Sequence, residues 1–144
     1  MKTYISWKQY DDYLDKIFDW IDQLHRYQGL ELGAVYGLPR GGLPIAVSLS
    51  HKLNLPLLIN YYDRKVVTRK QILVVDDIAD TGHTLKDFDN EHNVICTFHY
   101  HKQSLVVPEF FCEEKTDEWI VYPWEERDSK EVQDYLKEGE SINA

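Results

Sequence analysis

The chain has only two cysteines, Cys96 and Cys112, which are too few for a disulfide framework, so we expect a reduced, cytoplasmic setting. Long apolar runs are also missing, and stretches such as residues 72–75 are too short to span a bilayer. The N-terminal segment lacks a basic stretch followed by an apolar one, so we expect no secretory signal peptide.

An excess of positive charge is missing as well, because 16 lysines and arginines stand against 25 acidic residues, for a net charge of −9. This balance argues against non-specific binding of nucleic acid and against a polybasic contact with membranes. Residues 62–70 are a local exception, since they contain four basic residues and one acidic residue. This stretch could receive a small anion, and a solvated basic loop explains it equally well.

The apolar content of 43 % in 144 residues is enough for one core, so we expect a single domain over residues 1–144. Ser6 and Gln9 form a capping-box pattern, and the apolar residues that follow recur at helical spacing as far as Gly29. These signals predict a helix over most of the first thirty residues. Further helices are predicted over residues 44–53 and 128–139, with a short one after residue 84.

Short apolar runs between the helical segments are typical of buried strands. They are predicted over residues 34–36, 57–61, 72–76, 94–100, 110–112 and 119–122. Strands that alternate with helices, and that are apolar throughout, indicate an α/β protein with a parallel sheet. Ligands bind beyond the carboxyl ends of such strands, which directs attention to residues 38–42, to residues 76–84 and to the segment from Lys102 onward.

His99 and His101 lie on one face of a predicted strand, as two metal ligands would. A third ligand at useful spacing is not evident in the sequence. A pair on the strand surface is therefore the simpler explanation, and Cys96 and Cys112 are expected to be core thiols.

The most informative segment is residues 72–84, where a buried strand delivers two adjacent carboxylates, Asp76 and Asp77, to its end. The loop that follows consists of Asp80, Thr81, Gly82, His83 and Thr84. Backbone N–H groups of such a loop can hold a phosphate, and carboxylates can accept hydrogen bonds from vicinal sugar hydroxyls. The segment thus predicts a ribose 5-phosphate site, with an unrelated acidic turn or a phospho-acceptor pocket as the alternatives.

These residues resemble the Asp-Asp–loop–Thr-Gly-x-Thr motif by which type I phosphoribosyltransferases bind 5-phosphoribosyl-1-pyrophosphate. Ala79 departs from the larger aliphatic residue that is usual in the family, and His83 departs from its usual small residue. Residues 37–42 resemble the family's loop that contacts pyrophosphate. There Gly41 lets the backbone approach the diphosphate, and Arg40 supplies a charged fork.

The resemblance implies a type I phosphoribosyltransferase-like α/β fold, with a mostly parallel central sheet flanked by helices and a small hood region. The C-terminal third is similar to the family's 6-oxopurine branch. By that similarity Lys102 donates to the 6-oxo group, Trp119 stacks on the base, and the backbone of Ile120 reads its 2-position edge. From the residues alone, Lys102 is equally well a solvated lysine at a strand end, and Trp119 a core aromatic.

The implied activity is purine salvage, in which a 6-oxopurine (xanthine, guanine or hypoxanthine) displaces pyrophosphate from phosphoribosyl pyrophosphate bound with Mg²⁺. Asp80 would hold the purine ring proton, and Asp76 and Asp77 would fix the ribose. Substrate oxygens and water would supply most Mg²⁺ ligands, with Asp76, Asp77 and Glu125 as the protein's candidates. The resemblance further implies an enzyme of the glycosyltransferase class and a homo-oligomer, either a dimer or a tetramer.

The family inserts a flexible loop over the site, whereas here only residues 62–70 are available for such a hood. This short segment leaves open a non-catalytic protein that binds phosphoribosyl pyrophosphate or a nucleotide for regulation. A transferase for a different base is a further alternative.

Overall fold

The computed structural model describes residues 1–66 and 70–126. The elements, in chain order, are β1 (Lys2–Tyr4), α1 (Trp7–Gln28), β2 (Leu32–Gly37), α2 (Gly42–Leu53), β3 (Leu57–Leu58), β4 (Gln71–Ala79), β5 (Asn93–Tyr100), β6 (Phe110–Glu114) and β7 (Trp119–Val121). Short 3₁₀ helices cover Tyr61–Val66 and Lys86–Phe88.

Helix α1 begins and ends where the sequence predicts. The Gln9 N–H donates to the Ser6 side chain, and the Ser6 N–H donates to the Gln9 side chain at 2.9 Å. Gly29 ends the helix in the left-handed conformation, with φ of 71°, which glycine adopts without steric cost. One face of the helix is buried against the sheet, through Tyr10, Tyr13, Leu14, Ile17 and Ile21.

The central sheet has five parallel strands in the order β3-β2-β4-β5-β6. Strand β3 lies on one side of β2, and the next strand along the chain, β4, lies on the other side of β2. The order therefore reverses between β2 and β4, which is the position where open α/β sheets bind ligands. The predicted mostly parallel α/β architecture is confirmed, and every strand pair that the structure describes in this sheet is parallel.

The two faces of the central sheet are covered differently. Helices α1 and α2 cover one face and enclose a core around fully buried side chains such as Phe98, Ile17 and Leu49. Burying each of these side chains stabilises the fold by about 1.5–3 kcal/mol. On the other face, Leu85, Phe88, Tyr61 and Val106 pack from turns and loops rather than from a long helix.

A second sheet joins the two ends of the described chain. Strands β1 and β7 pair in parallel, with Thr3 opposite Ile120, and the Trp119 N–H donates to the Met1 carbonyl oxygen at 3.0 Å. Strand β1 is not predicted from the sequence, because three residues are too few for a periodic pattern.

Several predicted elements differ in length from the observed ones. The strand predicted over residues 57–61 stops at Leu58, because the chain turns into the 3₁₀ helix that begins at Tyr61. Strand β4 runs on to Ala79, since β5 continues to pair with it there. The helix expected after residue 84 is only the 3₁₀ helix Lys86–Phe88, as the turn-forming sequence at residues 89–90 follows at once. The helix predicted over residues 128–139 lies outside the described residues.

No helix among the described residues is both long enough and apolar enough to cross a membrane.

Candidate active site

The two adjacent carboxylates lie within β4 rather than at its end. Asp76 is three residues from the last residue of the strand, and its Oδ1 accepts a hydrogen bond from the Asp77 N–H at 2.9 Å. Because side chains alternate along a strand, Asp76 shares a face with Val74, and Asp77 shares the α1–α2 face with Val75. The two carboxylates thus leave the strand on opposite faces, beside the point where the strand order reverses.

The loop after β2 reaches β4 at Asp77. The Leu38 N–H donates to the Val75 carbonyl oxygen at 3.0 Å, and the Gly42 N–H donates to the Leu38 carbonyl oxygen at 2.8 Å. A Cβ atom on Gly41 would overlap with the Asp77 carboxylate. Arg40 is exposed in this loop and follows a cis peptide bond from Pro39. The structure therefore brings the predicted residues Gly41 and Asp77 into contact and places Arg40 beside them in the chain.

The loop after β4 forms a tight turn around Gly82, whose φ is 85°. The Lys86 N–H closes this turn by donating to the Gly82 carbonyl oxygen at 3.0 Å, and the Leu105 N–H donates to the Thr81 carbonyl oxygen at 2.9 Å. The Thr84 N–H has no backbone acceptor among residues 1–66 and 70–126, and His83 is exposed. The His83 N–H donates to the Thr81 side chain at 3.4 Å. Successive N–H groups in a turn of this kind are suited to anions.

Asp80 is held by two side chains that come from other parts of the chain. The Lys115 Nζ lies 3.6 Å from Asp80 Oδ2, and both side chains are buried, with 7 % and 10 % of their surfaces exposed. The Gln103 Nε2 donates to Asp80 Oδ1 at 2.9 Å. Lys115 is not predicted as a site residue from the sequence, because it lies in an acidic segment without any motif around it.

The residues expected to form the base pocket differ in exposure. The Lys102 side chain is 82 % exposed, with its Nζ 4.0 Å from Glu114 Oε1. Trp119 is half-buried on β7, and its buried Nε1 has no hydrogen-bond partner among the described residues. Its neighbour Ile120 is buried. Glu125 Oε1 accepts a hydrogen bond from the Tyr122 N–H at 2.8 Å, so this carboxylate caps the turn after β7.

A buried hydrogen-bond network contacts the backbone of Asp77. The Tyr122 hydroxyl donates to the Asp77 carbonyl oxygen at 3.1 Å and lies 2.7 Å from His99 Nδ1. Since that hydroxyl has one proton, His99 Nδ1 is the donor of the second bond. Tyr13 contacts His99 Nε2 at 3.5 Å and donates to Glu113 Oε2 at 2.8 Å. The expectation that His99 lies on the strand surface is wrong, because this network holds the ring inside the protein.

Burial controls the titration of this network. It lowers the pKa of His99 to about 4, because the charged imidazolium would lose its hydration, although the nearby Glu113 opposes the shift. Burial also raises the pKa of the Tyr122 hydroxyl, and the charge of Asp77 adds to that rise. Both side chains are therefore neutral near pH 7.

The part of the chain that the structure describes contains no group of three or more His, Cys, Asp or Glu residues arranged to hold a metal ion. Asp76, Asp77 and Glu125 thus do not form a metal cage. Carboxylate oxygens at a ligand-binding edge still fit Mg²⁺, which keeps much of its water and binds phosphates together with one or two carboxylates.

Comparison with solved structures gives matches over nearly the whole chain. A purine phosphoribosyltransferase from Pyrococcus horikoshii Ot3 is 28 % identical, with a TM-score of 0.67 over 91 % of this chain and 99 % of that one. A xanthine-guanine-hypoxanthine phosphoribosyltransferase from Helicobacter pylori is 17 % identical, with a TM-score of 0.64 over 98 % and 99 %. A hypothetical protein from Neisseria gonorrhoeae with bound ppGpp is 19 % identical, with a TM-score of 0.67 over 99 % and 97 %. No family model and no curated protein sequence matches the chain.

The chain has the fold of the type I phosphoribosyltransferases, which are enzymes of the glycosyltransferase class. The resemblance predicted from the sequence is therefore confirmed. The similar proteins include phosphoribosyltransferases that act on purines.

Proposed function

We propose that this protein is a purine phosphoribosyltransferase that transfers the 5-phosphoribosyl group from phosphoribosyl pyrophosphate to a 6-oxopurine, with release of pyrophosphate, in purine salvage. The observation that carries the proposal is the contact between Gly41 and the Asp77 carboxylate, which joins the loop after β2 to the motif-bearing strand β4 where the strand order reverses. A pyrophosphate loop and a ribose-binding carboxylate need this proximity, because the two groups are neighbours in the substrate.

The substrate would lie across the carboxyl ends of β2 and β4. Arg40 would contact the pyrophosphate. Gly41, whose missing side chain leaves room for the Asp77 carboxylate, would contact the diphosphate through its backbone. Asp76 and Asp77 would accept hydrogen bonds from the ribose hydroxyls. The turn formed by Thr81, Gly82, His83 and Thr84 would hold the 5-phosphate through backbone N–H groups and hydroxyls.

In the transfer, a ring nitrogen of the purine bonds to the anomeric carbon while the bond from that carbon to pyrophosphate breaks. The bonding electrons leave with pyrophosphate, and the transition state resembles a ribosyl oxocarbenium ion. Asp80 would take the proton that the ring nitrogen loses. This role is supported by the contacts that hold the carboxylate, since Gln103 contacts Oδ1 of Asp80 and Lys115 contacts Oδ2. When bound, Mg²⁺ would help to neutralise the pyrophosphate, with Asp76, Asp77 and Glu125 as candidate contacts.

The base would lie between the loop after β5 and strand β7. Trp119 would stack on it, the backbone of Ile120 would meet its 2-position edge, and Lys102 would donate to its 6-oxygen. The exposure of Lys102 means that its side chain would have to turn inward when the base binds. The two free thiols are compatible with the proposed cytoplasmic location. Sedimentation analysis would test the proposed assembly into a dimer or a tetramer.

The test is pyrophosphate release from phosphoribosyl pyrophosphate and Mg²⁺ with xanthine, guanine, hypoxanthine, adenine, uracil or orotate. We expect turnover with the 6-oxopurines. Asp76→Asn and Asp77→Asn should each weaken binding of phosphoribosyl pyrophosphate by about 1.5–3 kcal/mol, the contribution of a charge-assisted hydrogen bond. Asp22→Asn is the control, because Asp22 pairs with Arg26 on the outside of α1.

The second candidate is a non-catalytic protein that binds phosphoribosyl pyrophosphate or a regulatory nucleotide. It is favoured by the short connection from β3 to β4, which begins as a 3₁₀ helix, and by the structural similarity to a protein with bound ppGpp. Retained binding of phosphoribosyl pyrophosphate with no turnover of any base would select this candidate. Turnover of uracil or orotate alone would instead indicate a transferase for a pyrimidine.

A further inference from the structure

Lys115 is the one buried residue among the lysines and arginines whose side-chain burial the structure describes, which leaves out residues 64–69 and those after residue 126. Its backbone N–H donates to the Tyr100 carbonyl oxygen at 2.8 Å, which fixes it beside the end of β5. From there its Nζ extends to 3.6 Å from Asp80 Oδ2. Lys102, on the loop after β5, differs from Lys115 in its exposure and in its partner, since its side chain is 82 % exposed and lies near Glu114.

The other oxygen of Asp80 is also engaged. Gln103 Nε2 donates to Asp80 Oδ1 at 2.9 Å, and this side chain comes from the loop after β5. Contacts to both oxygens restrict rotation of the carboxylate about its Cβ–Cγ bond. The Asp80 carboxylate is therefore held in one orientation by Gln103 from the loop after β5 and by Lys115 from the segment after β6.

A buried ion pair of this kind contributes little net stability to a fold. Apolar side chains of similar size often stabilise a fold as well as a buried pair does, whereas loss of one partner leaves a costly unpaired charge. The distance of 3.6 Å is also longer than a hydrogen bond, so the pair does not have the geometry that would best offset its desolvation. A role in orienting the candidate catalytic group accounts for the pair better than stability does.

We propose that Lys115 is a positioning residue for Asp80. Together with Gln103, it holds the carboxylate in the orientation in which it receives the proton of the acceptor base. The proposal rests on the proposed function, and it assigns Lys115 no contact with the substrate.

Steady-state kinetics of four variants, Lys115→Met, Lys115→Arg, Asp80→Asn and the double variant Asp80→Asn with Lys115→Met, test the proposal. Lys115→Met should lower kcat about 10–100-fold, the range expected when a catalytic group is misplaced. It should change KM for phosphoribosyl pyrophosphate by no more than about twofold, since the backbone N–H groups and carboxylates assigned to that substrate are left in place. Lys115→Arg should recover part of kcat, because it restores the charge. In the Asp80→Asn background, Lys115→Met should cause no further loss.

Two further variants keep the result interpretable. Lys8→Met removes an exposed lysine that pairs with Asp12 on α1 and should leave kcat unchanged. Gln103→Leu removes the second contact from an exposed side chain, so it should lower kcat even if Lys115→Met fails to fold. An unchanged kcat in Lys115→Met, or an equal loss in the Asp80→Asn background, would overturn the proposal.

Thermal unfolding separates this proposal from the proposed function. If the wild-type protein turns over no base, the proposed function fails. The coupling between Lys115 and Asp80 is then measured by the change in Tm. Lys115→Met should then lower Tm in the wild-type background and much less in the Asp80→Asn background, since an unpaired buried charge is left only in the first. Equal lowering in both backgrounds would show that Lys115 does not act through Asp80.

Discussion

The hydroxyl group of Tyr122 donates a hydrogen bond to the backbone carbonyl oxygen of Asp77, with 3.1 Å between the two oxygen atoms. This bond ties the segment after β7 to the strand that carries both candidate ribose-binding carboxylates. The same hydroxyl accepts a hydrogen bond from His99, so a buried side chain of β5 helps to set the position of Asp77.

Replacement of Tyr122 by phenylalanine should destabilise the protein by about 1–3 kcal/mol, because it removes the hydrogen bonds of the Tyr122 hydroxyl to the Asp77 carbonyl oxygen and to the buried His99 ring. Affinity for phosphoribosyl pyrophosphate should fall as well, since Asp77 loses its support. Urea unfolding and calorimetric titration measure the two effects. Tyr27→Phe is the matched control, because that ring is 80 % exposed. Equal stability of the two variants would contradict the role of Tyr122.

His99 should make the protein less stable in mild acid. Its pKa is about 4 in the folded protein and near 6.5 in the unfolded chain, so the unfolded state binds more protons between these values. Stability should therefore fall as the pH drops from 6.5 toward 4, by up to about 3 kcal/mol from this residue.

The measurement is the urea midpoint at a series of pH values for the wild type and for His99→Gln. The variant should lose less stability over this range, because the titrating group is gone. His92→Gln serves as the control, since the His92 side chain is 54 % exposed. Parallel curves for the wild type and His99→Gln would refute this assignment.

Gly41→Ala should weaken binding of phosphoribosyl pyrophosphate, because the new Cβ must displace the Asp77 carboxylate. The expected loss is about 1.5–3 kcal/mol of binding free energy, as for loss of a charge-assisted hydrogen bond. Gly29→Ala is an informative control, because a Cβ there meets no atom within 4 Å but φ is 71°. That variant should lose about 1–2 kcal/mol of stability and bind the substrate normally. Normal binding by Gly41→Ala would remove the contact from the site.

Signals that are local along the chain were sufficient for much of the fold. The capping box at Ser6 and the glycine at Gly29 give both ends of α1, because each cap depends on residues only a few positions away. The contact between Gly41 and Asp77 is different, because it depends on the pairing of β2 with β4, which the structure shows and the sequence does not predict.

Features that depend on distant partners could not be predicted in this way. The pairing of β1 with β7 joins the start of the chain to residues near 120, and although the sequence predicts a strand over residues 119–122, β1 is too short to show a pattern. Lys115 reaches Asp80 only because β6 lies beside β5, so a motif search selects Lys102 instead. His99 is buried by Tyr13 and Tyr122, which come from opposite ends of the chain.

Lys102→Met tests the expected preference for 6-oxopurines. Adenine carries an amino group where those bases carry the oxygen, so it would face the Lys102 ammonium donor to donor. A site built around a hydrogen bond rejects such an analogue strongly. The variant should lose most of its discrimination against adenine and keep its Tm, because the side chain is 82 % exposed. Undiminished discrimination in rates with guanine and adenine would remove Lys102 from the base pocket.

Trp119→Ala distinguishes a stacking residue from a packing residue at the same position. If Trp119 stacks on the base, every purine should bind more weakly by about 1–3 kcal/mol, and affinity for phosphoribosyl pyrophosphate should hardly change. Its half-buried ring and its Nε1 without a partner among the described residues are compatible with a side chain that awaits a ligand. Trp20→Ala is the control, because Trp20 stacks on Phe110 at 5.0 Å and packs against the core. That variant should lower Tm and reduce both affinities indirectly. If Trp119→Ala behaves in the same way as Trp20→Ala, Trp119 is a packing residue and the base must be held by other side chains.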